Sequence, residues 1–204
     1  MFLNKTIFKK WIKTAYNSNG VKVGRVFGGF VLAGNSWILW ADEQYMPNWV
    51  KASVMEHVGH LPQDGEIFRA EKNEPVQMII EDNFLNLPKE FREATVPFTV
   101  TPVVYGSKYT ECRILQNKQT HNTIALSEDL YKVIDLSNLG VAEQYPDGFG
   151  ENPPMGPCAK NDAAEIVYWK NEYSALALCT VKIGDLKTQE IMSLLSGIDF
   201  SEEK

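Results

Sequence analysis

The densest group of reactive side chains is Glu56-His57-Val58-Gly59-His60. Two imidazoles and a carboxylate offer the nitrogen and oxygen ligands that zinc takes in sets of three or four. His57 and His60 would share a helix face. The metalloprotease pattern, however, sets its histidines at i and i+4 around a Glu, and Gly59 breaks a helix between these two. His121 lies far along the chain in a polar turn. A metal-dependent hydrolase centred on His57 and His60 is the enzyme reading open to this sequence. The bland one is a helix C-terminus, where imidazoles meet free carbonyls and the negative end of the dipole.

Other chemistry has less to stand on. Cys112, Cys158 and Cys179 are an odd number with no CxxC spacing, which favours a reducing, cytoplasmic setting over a disulfide framework. Cys112 falls in a strand-like stretch, Cys179 in an apolar strand, and Cys158 in a Pro/Gly-rich loop with no base beside it. There is no Gly-x-Ser-x-Gly elbow. Gly24 through Gly29 has neither of the phosphate-loop spacings and runs into another strand where such a loop opens a helix. No residue is therefore assigned a catalytic, cofactor-binding or metal-binding role, and no cofactor is expected.

The basic side chains are more telling. Lys5, Lys9, Lys10, Lys13, Lys22 and Arg25 precede the first acid, Asp42. The chain has 204 residues and a net charge of −6, so +6 over residues 1–41 is followed by −12 over the remainder. An acid-free lysine face makes a local positive field that attracts phosphate, although the solvated side of a surface helix can also be lysine-rich. These six residues are the candidate contacts for nucleic acid or an acidic partner. The segment is amphipathic like a transit peptide, but it is Arg-poor and Ser-poor and leads directly into strands, so no targeting role is expected. Apolar residues make up 44% of the chain and no run approaches bilayer length, which sets aside disorder, a uniformly basic binder and a membrane-spanning helix.

These side chains need elements to carry them. Residues 4–16 read as a helix capped by Asn4, with Ile7, Phe8, Trp11, Ile12 and Ala15 on one face and the lysines on the other. Trp11 is expected to pack, not to stack on bases. Val21–Phe27, Phe30–Ala33 and Ser36–Ala41 read as strands joined by turns at Gly28-Gly29 and Gly34-Asn35. A helix follows from Pro47 to Gly59. Strands are expected at Glu66–Ala70 and Val76–Glu81, and a short helix at Leu87–Glu93. Val96–Tyr105 is β-branched but holds Pro97 and Pro102, which suggests an edge strand or a linker. Beyond it come strands at Tyr109–Leu115 and Thr123–Leu126, a helix at Ser127–Leu136, a hairpin from Ala164–Trp169 to Tyr173–Ile183, and a last helix at Leu186–Leu195.

The segment between, Ser137–Asp162, is a long Pro/Gly loop. Tyr145, Phe149 and Met155 are its candidate partner-contact residues. The fold expected is α+β, mainly antiparallel sheet with about four helices. Its organisation is 1–94 and 103–204, two halves with an echoed order of elements or one compact domain.

The helix and β-meander of residues 4–41 resemble the repeat unit of processivity sliding clamps. Residues 164–183, ending Ala175-Leu176-Ala177-Leu178-Cys179-Thr180-Val181-Lys182-Ile183, are similar to a late strand hairpin of that family. The resemblance implies an acidic ring whose lysine-bearing helices line a hole around duplex DNA, and a subunit of this size suits a trimeric ring. The departures are that this chain begins with a helix where clamp units begin with strands, and that Ser127–Leu136 holds Glu128, Asp129 and Asp135 against Lys132.

Three functions follow as expectations. The first is a non-enzymatic, cytoplasmic binding protein, of viral or mobile-element type, that holds nucleic acid or an acidic partner on its basic helix. The second is an interaction or inhibitor module acting through its acidic surface and the 143–162 loop. The third is the His57/His60 hydrolase.

Overall fold

The computed structural model describes residues 1–80, 86–106, 111–137 and 152–200. It is an α+β protein whose described residues build one large antiparallel sheet of 11 strands. Among the described residues there are five helices.

Lys5–Ser18 forms α1, and the meander follows as β1 (Val21–Val26), β2 (Gly29–Ala33) and β3 (Trp37–Asp42). Val26 pairs with Gly29, so the hairpin turn is Phe27-Gly28 and not Gly28-Gly29. Gly29 belongs to the strand, paired with Val26 and Asp42, and a Cβ there would strike the Ala41 carbonyl and the Trp40 indole. Helix α2 (Asn48–Val58) stops at Gly59, whose φ of 90° closes the last turn in the left-handed region. Strand β4 (Ile67–Ala70) pairs with β1, and the expected strand at 76–81 is reduced to the edge pair β5 (Gln77–Met78), Glu81 lying outside the described residues.

Helix α3 (Leu87–Glu93) leads into β6 (Val96–Gly106), which is neither a linker nor wholly an edge. It pairs with β7 (Glu111–Asn117) along its length and, at Val96 and Pro97, with β9 (Met155–Ala159) on its other side. Both prolines fit for local reasons. Pro97 offers its carbonyl to the Lys118 N–H, and Pro102 sits in the register shift between Val100 and Val104. There the Thr101 hydroxyl donates to the Ile114 carbonyl and accepts from the Val103 N–H, replacing ladder bonds that a proline cannot make.

Strand β8 (Thr123–Ser127) runs into α4, which is only Glu128–Tyr131. The helix expected to reach Leu136 ends early because the next residues pair with the N-terminus. Asn4 donates to the Val133 carbonyl, Asp135 donates to the Phe2 carbonyl, and Leu3 bridges Ile134. Ser127 makes no side-chain cap, and Glu128 turns to Arg113. The expected loop 137–162 likewise contains β9. Gly156 lies there so close to the Tyr168 carbonyl that no Cβ would fit.

Strands β10 (Ile166–Lys170) and β11 (Ser174–Val181) complete the sheet, and α5 (Leu186–Leu195) covers one end. Strand β11 forks. Along one edge it pairs with β3 over Ser174–Leu178 and then with β8 at Thr180–Val181, while its other edge pairs with β10. Since β10 pairs with β9 and β9 with β6, strands β6, β7, β8, β11, β10 and β9 form a closed hydrogen-bonded circuit.

Both faces of β3 are covered, which explains its unbroken apolar sequence. Trp37, Leu39 and Ala41 face α1 and α2, while Ile38 and Trp40 face α3 with Val31, Tyr168, Ala175 and Ala177. Helix α5 sets Met192 and Leu195 over Cys112, Ile114 and Ala125.

Candidate nucleic-acid interface

Helix α1 is fixed at its start by Asn4, whose Oδ1 accepts from the Ile7 N–H at 3.1 Å and whose Nδ2 donates to Asp135 at 3.2 Å. Phe8, Ile12 and Ala15 are buried against the sheet. Phe8 is the hub, with Trp37 edge-on at 5.1 Å and Trp11 and Trp49 each at 6.0 Å.

That packing turns Lys5, Lys9, Lys10 and Lys13 outward, and all four are exposed. The helix carries no acid, and no described carboxylate lies within ion-pair distance of any of the four. Lys22 and Arg25 are placed apart from them on β1, half-buried. Lys22 lies opposite Arg69 of β4. Arg25 is engaged, forming an ion pair with Glu43 and lying 5.9 Å from the Phe30 ring centroid. The sequence pattern thus brings together four of its six basic residues.

Beside the lysine face runs a groove of about 440 Å³ between α1, the turn before β3, and α4. Ile7, Trp11, Trp37 and Leu130 supply its apolar lining, and Lys10, Thr14, Asn35, Ser36, Asp129 and Lys132 its polar one. The Trp11 and Trp37 rings are 5.7 Å apart and inclined by 32°. Trp11 packs as expected, but it also lines open space. Nothing in the spacing of Trp11, Trp37 and Lys132 announces this groove, because it depends on how α4 docks against α1.

The other candidates are dispersed. His57 stacks on Tyr16 at 4.5 Å, and His60 meets the Phe68 ring edge-on at 4.9 Å. The left-handed turn at Gly59 sends the two imidazoles to different neighbours. Burial holds the His57 pKa below its ordinary 6.5; nearby Lys13 adds to this, and Glu56 opposes it. Among the described residues no cluster of three or more His, Cys, Asp or Glu side chains could hold a metal. Burial raises the pKa of all three thiols, which disfavours the thiolate. Met155 opens β9 and is 64% exposed; Tyr145 and Phe149 lie outside the described residues. Some of the acidic surface is used internally: Glu90 accepts from Lys160 at 2.7 Å and from the Tyr168 hydroxyl at 3.3 Å.

Fold and site together define an antiparallel-sheet α+β protein with one basic helix face. Among its described residues no helix is long and apolar enough to cross a membrane. No family model and no curated protein matches the sequence. Two solved structures are faintly similar. One is the beta subunit from DNA polymerase of Streptococcus pyogenes, with a TM-score of 0.30, 8% identity, and coverage of 92% of this chain and 66% of that one. The other is the DNA polymerase III beta chain of Streptococcus pneumoniae TIGR4, with a TM-score of 0.31 and the same 8% identity and 92% and 66% coverage. This chain therefore spans just under two thirds of the length of both. Likeness at this level says nothing of ligand or reaction.

Proposed function

We propose that this is a non-enzymatic binding protein that holds nucleic acid by its phosphates on the exposed face of α1. A DNA-accessory role, suggested by the clamp-like resemblance of residues 4–41 but without a ring closed around duplex, is the setting we infer for that contact. The observation carrying the reading is that Lys5, Lys9, Lys10 and Lys13 are all exposed on a helix without acids and have no described carboxylate partner. Solvated helix faces ordinarily mix charges at i and i+4. From Lys5 to Lys13 the stripe spans about 12 Å at 1.5 Å per residue. Several phosphates fall within that reach at about 3.4 Å of axial rise per nucleotide.

The test is oligonucleotide binding followed across salt concentration. Four lysine–phosphate contacts predict a log–log slope of about −3 to −4. Lys9→Glu with Lys13→Glu should abolish binding while circular dichroism stays unchanged. Wild-type-like binding by that folded double variant would remove the proposal.

A second reading has one observation in its favour, the exposed Met155 at the start of β9. In that case a protein partner docks on the 143–162 segment and its binding is nearly indifferent to salt.

A further inference from the structure

We infer that the groove beside α1 is a nucleobase site, so that the protein prefers single-stranded nucleic acid, or unpaired ends, to intact duplex. The inference rests on the proposal above that the α1 lysines hold phosphates, and it names the class of nucleic acid they hold.

Three observations converge. First, the groove and the lysine stripe are contiguous. Lys10 belongs to both: it lies one turn from Lys13 on the stripe and one turn from Ile7 and Thr14 on the groove wall. A strand whose phosphates follow Lys13 and Lys10 therefore has its next base at the groove mouth, and Lys132, whose Nζ also lies 4.0 Å from Glu111, supplies a second cation across it.

Second, the lining suits a planar ring. Trp37 is only 6% exposed and forms the floor, so half-buried Trp11, 5.7 Å from it, is the indole that faces a space of about 440 Å³. Indole is a sequence-tolerant stacking surface because every base has a π-face. A paired duplex cannot use it, since its bases are stacked on one another and its phosphates face outward. An unpaired base can.

Third, the polar groups at the groove are short side chains of the kind that meet base edges. Asn35 and Ser36 come from the turn before β3, Thr14 from α1. Asp129 is the one acid there. It repels phosphate, and it can accept from a base N–H seated below the lysines, such as the ring N3–H of thymine. The charge arrangement thus separates a place for phosphates from a place for a base.

The experiment uses the whole wild-type chain and fluorescence anisotropy at one salt concentration. Four probes are compared: an oligothymidine, a strand of equal length and charge made of abasic sites, a blunt duplex of that length, and poly-glutamate. The expected order places oligothymidine about tenfold tighter than the abasic strand, the scale of one lost base–aromatic stack, and also tighter than the duplex. Trp11→Ala should erase the difference between oligothymidine and abasic strand, while Trp11→Phe retains it. Equal binding of the abasic strand overturns the nucleobase site and leaves the phosphate reading standing. Tighter binding of duplex than of single strand also overturns it. Poly-glutamate binding as well as oligothymidine would show that charge alone is recognised, with the same result. If no nucleic acid binds at all, the phosphate reading has failed, and the nucleobase site falls with it. Should Trp11→Ala not fold, the abasic comparison decides alone.

Discussion

Arg113 and Glu128 meet fork to fork: Nε donates to Oε2 and Nη2 to Oε1, each at 2.8 Å. The pair joins the middle of β7 to the first residue of α4. Arg113 also donates to the Thr101 carbonyl at 3.3 Å and lies 5.1 Å from the centroid of the Tyr131 ring. Its guanidinium is held more firmly protonated than usual, chiefly by the hydrogen bonds to Glu128. Only 8% of the Glu128 side chain is exposed. Arg113→Ala would leave that carboxylate buried without a cation, at a cost of about 3–5 kcal/mol. Urea denaturation should show it. Replacing both residues by Met and Leu should recover most of the loss, and a double variant as unstable as the single one would refute the pairing argument.

His57 gives α1 a pH signature. Its folded pKa lies below 6.5, first because of burial and then because of Lys13. As pH falls through 6.5 the unfolded chain takes up the proton before the folded one. Stability therefore drops from that point downward and levels off below the folded value. His57→Phe, which keeps a ring against Tyr16, should flatten stability over that window. Lys13→Gln should raise the His57 pKa, read from its ring signals by NMR. Nucleic acid bound over Lys13 should move it in the same direction, and an unmoved His57 in a saturated complex would place the ligand elsewhere.

The Phe27-Gly28 turn stores a small strain. Phe27 has a φ of 58° and Gly28 of 73°, both in the left-handed region, where Asn-Gly is the usual sequence. Phe27 is 44% exposed, so little packing offsets its conformation. Phe27→Asn should stabilise the fold by about 1 kcal/mol, seen as a higher denaturation midpoint with an unchanged slope.

Asn4 joins the helix cap to the segment after α4. Asn4→Ala should cost about 1 kcal/mol from the lost cap. Asn4→Asp retains a cap acceptor, but it sets a second carboxylate against Asp135, whose pKa is lowered mainly by Ser137 and lastly by Asn4. Thermal melts should find the Asp variant no better than the Ala variant. Full recovery would mean that the Asp135 contact is dispensable.

What could be read from sequence was local. Asn4 as a cap, Gly59 as a stop and the glycine-bearing turns of the meander each carry their cause in their own neighbourhood. What escaped depends on distant chain. Helix α4 is short because residues 133–135 pair with residues 2–4, and β9 emerges from a Pro/Gly segment because β6 and β10 present edges on both sides of it. The lysine stripe was visible because helical spacing alone orders it. The groove was not, because Trp37 and Lys132 reach α1 only through tertiary docking.

The fork in β11 also governs how the protein must be made. During synthesis the meander emerges early, yet the edge of β3 has no partner until residues 174–178 leave the ribosome. Closure of the circuit waits longer still, for Thr180 and Val181 to reach β8. Pairings so far apart in the chain form slowly, and an unpaired edge invites other chains. Protease resistance of stalled nascent chains should therefore appear in one late step, after Val181 has emerged. A fragment stopping before Ser174 should be a client of chaperones and not a small independent protein.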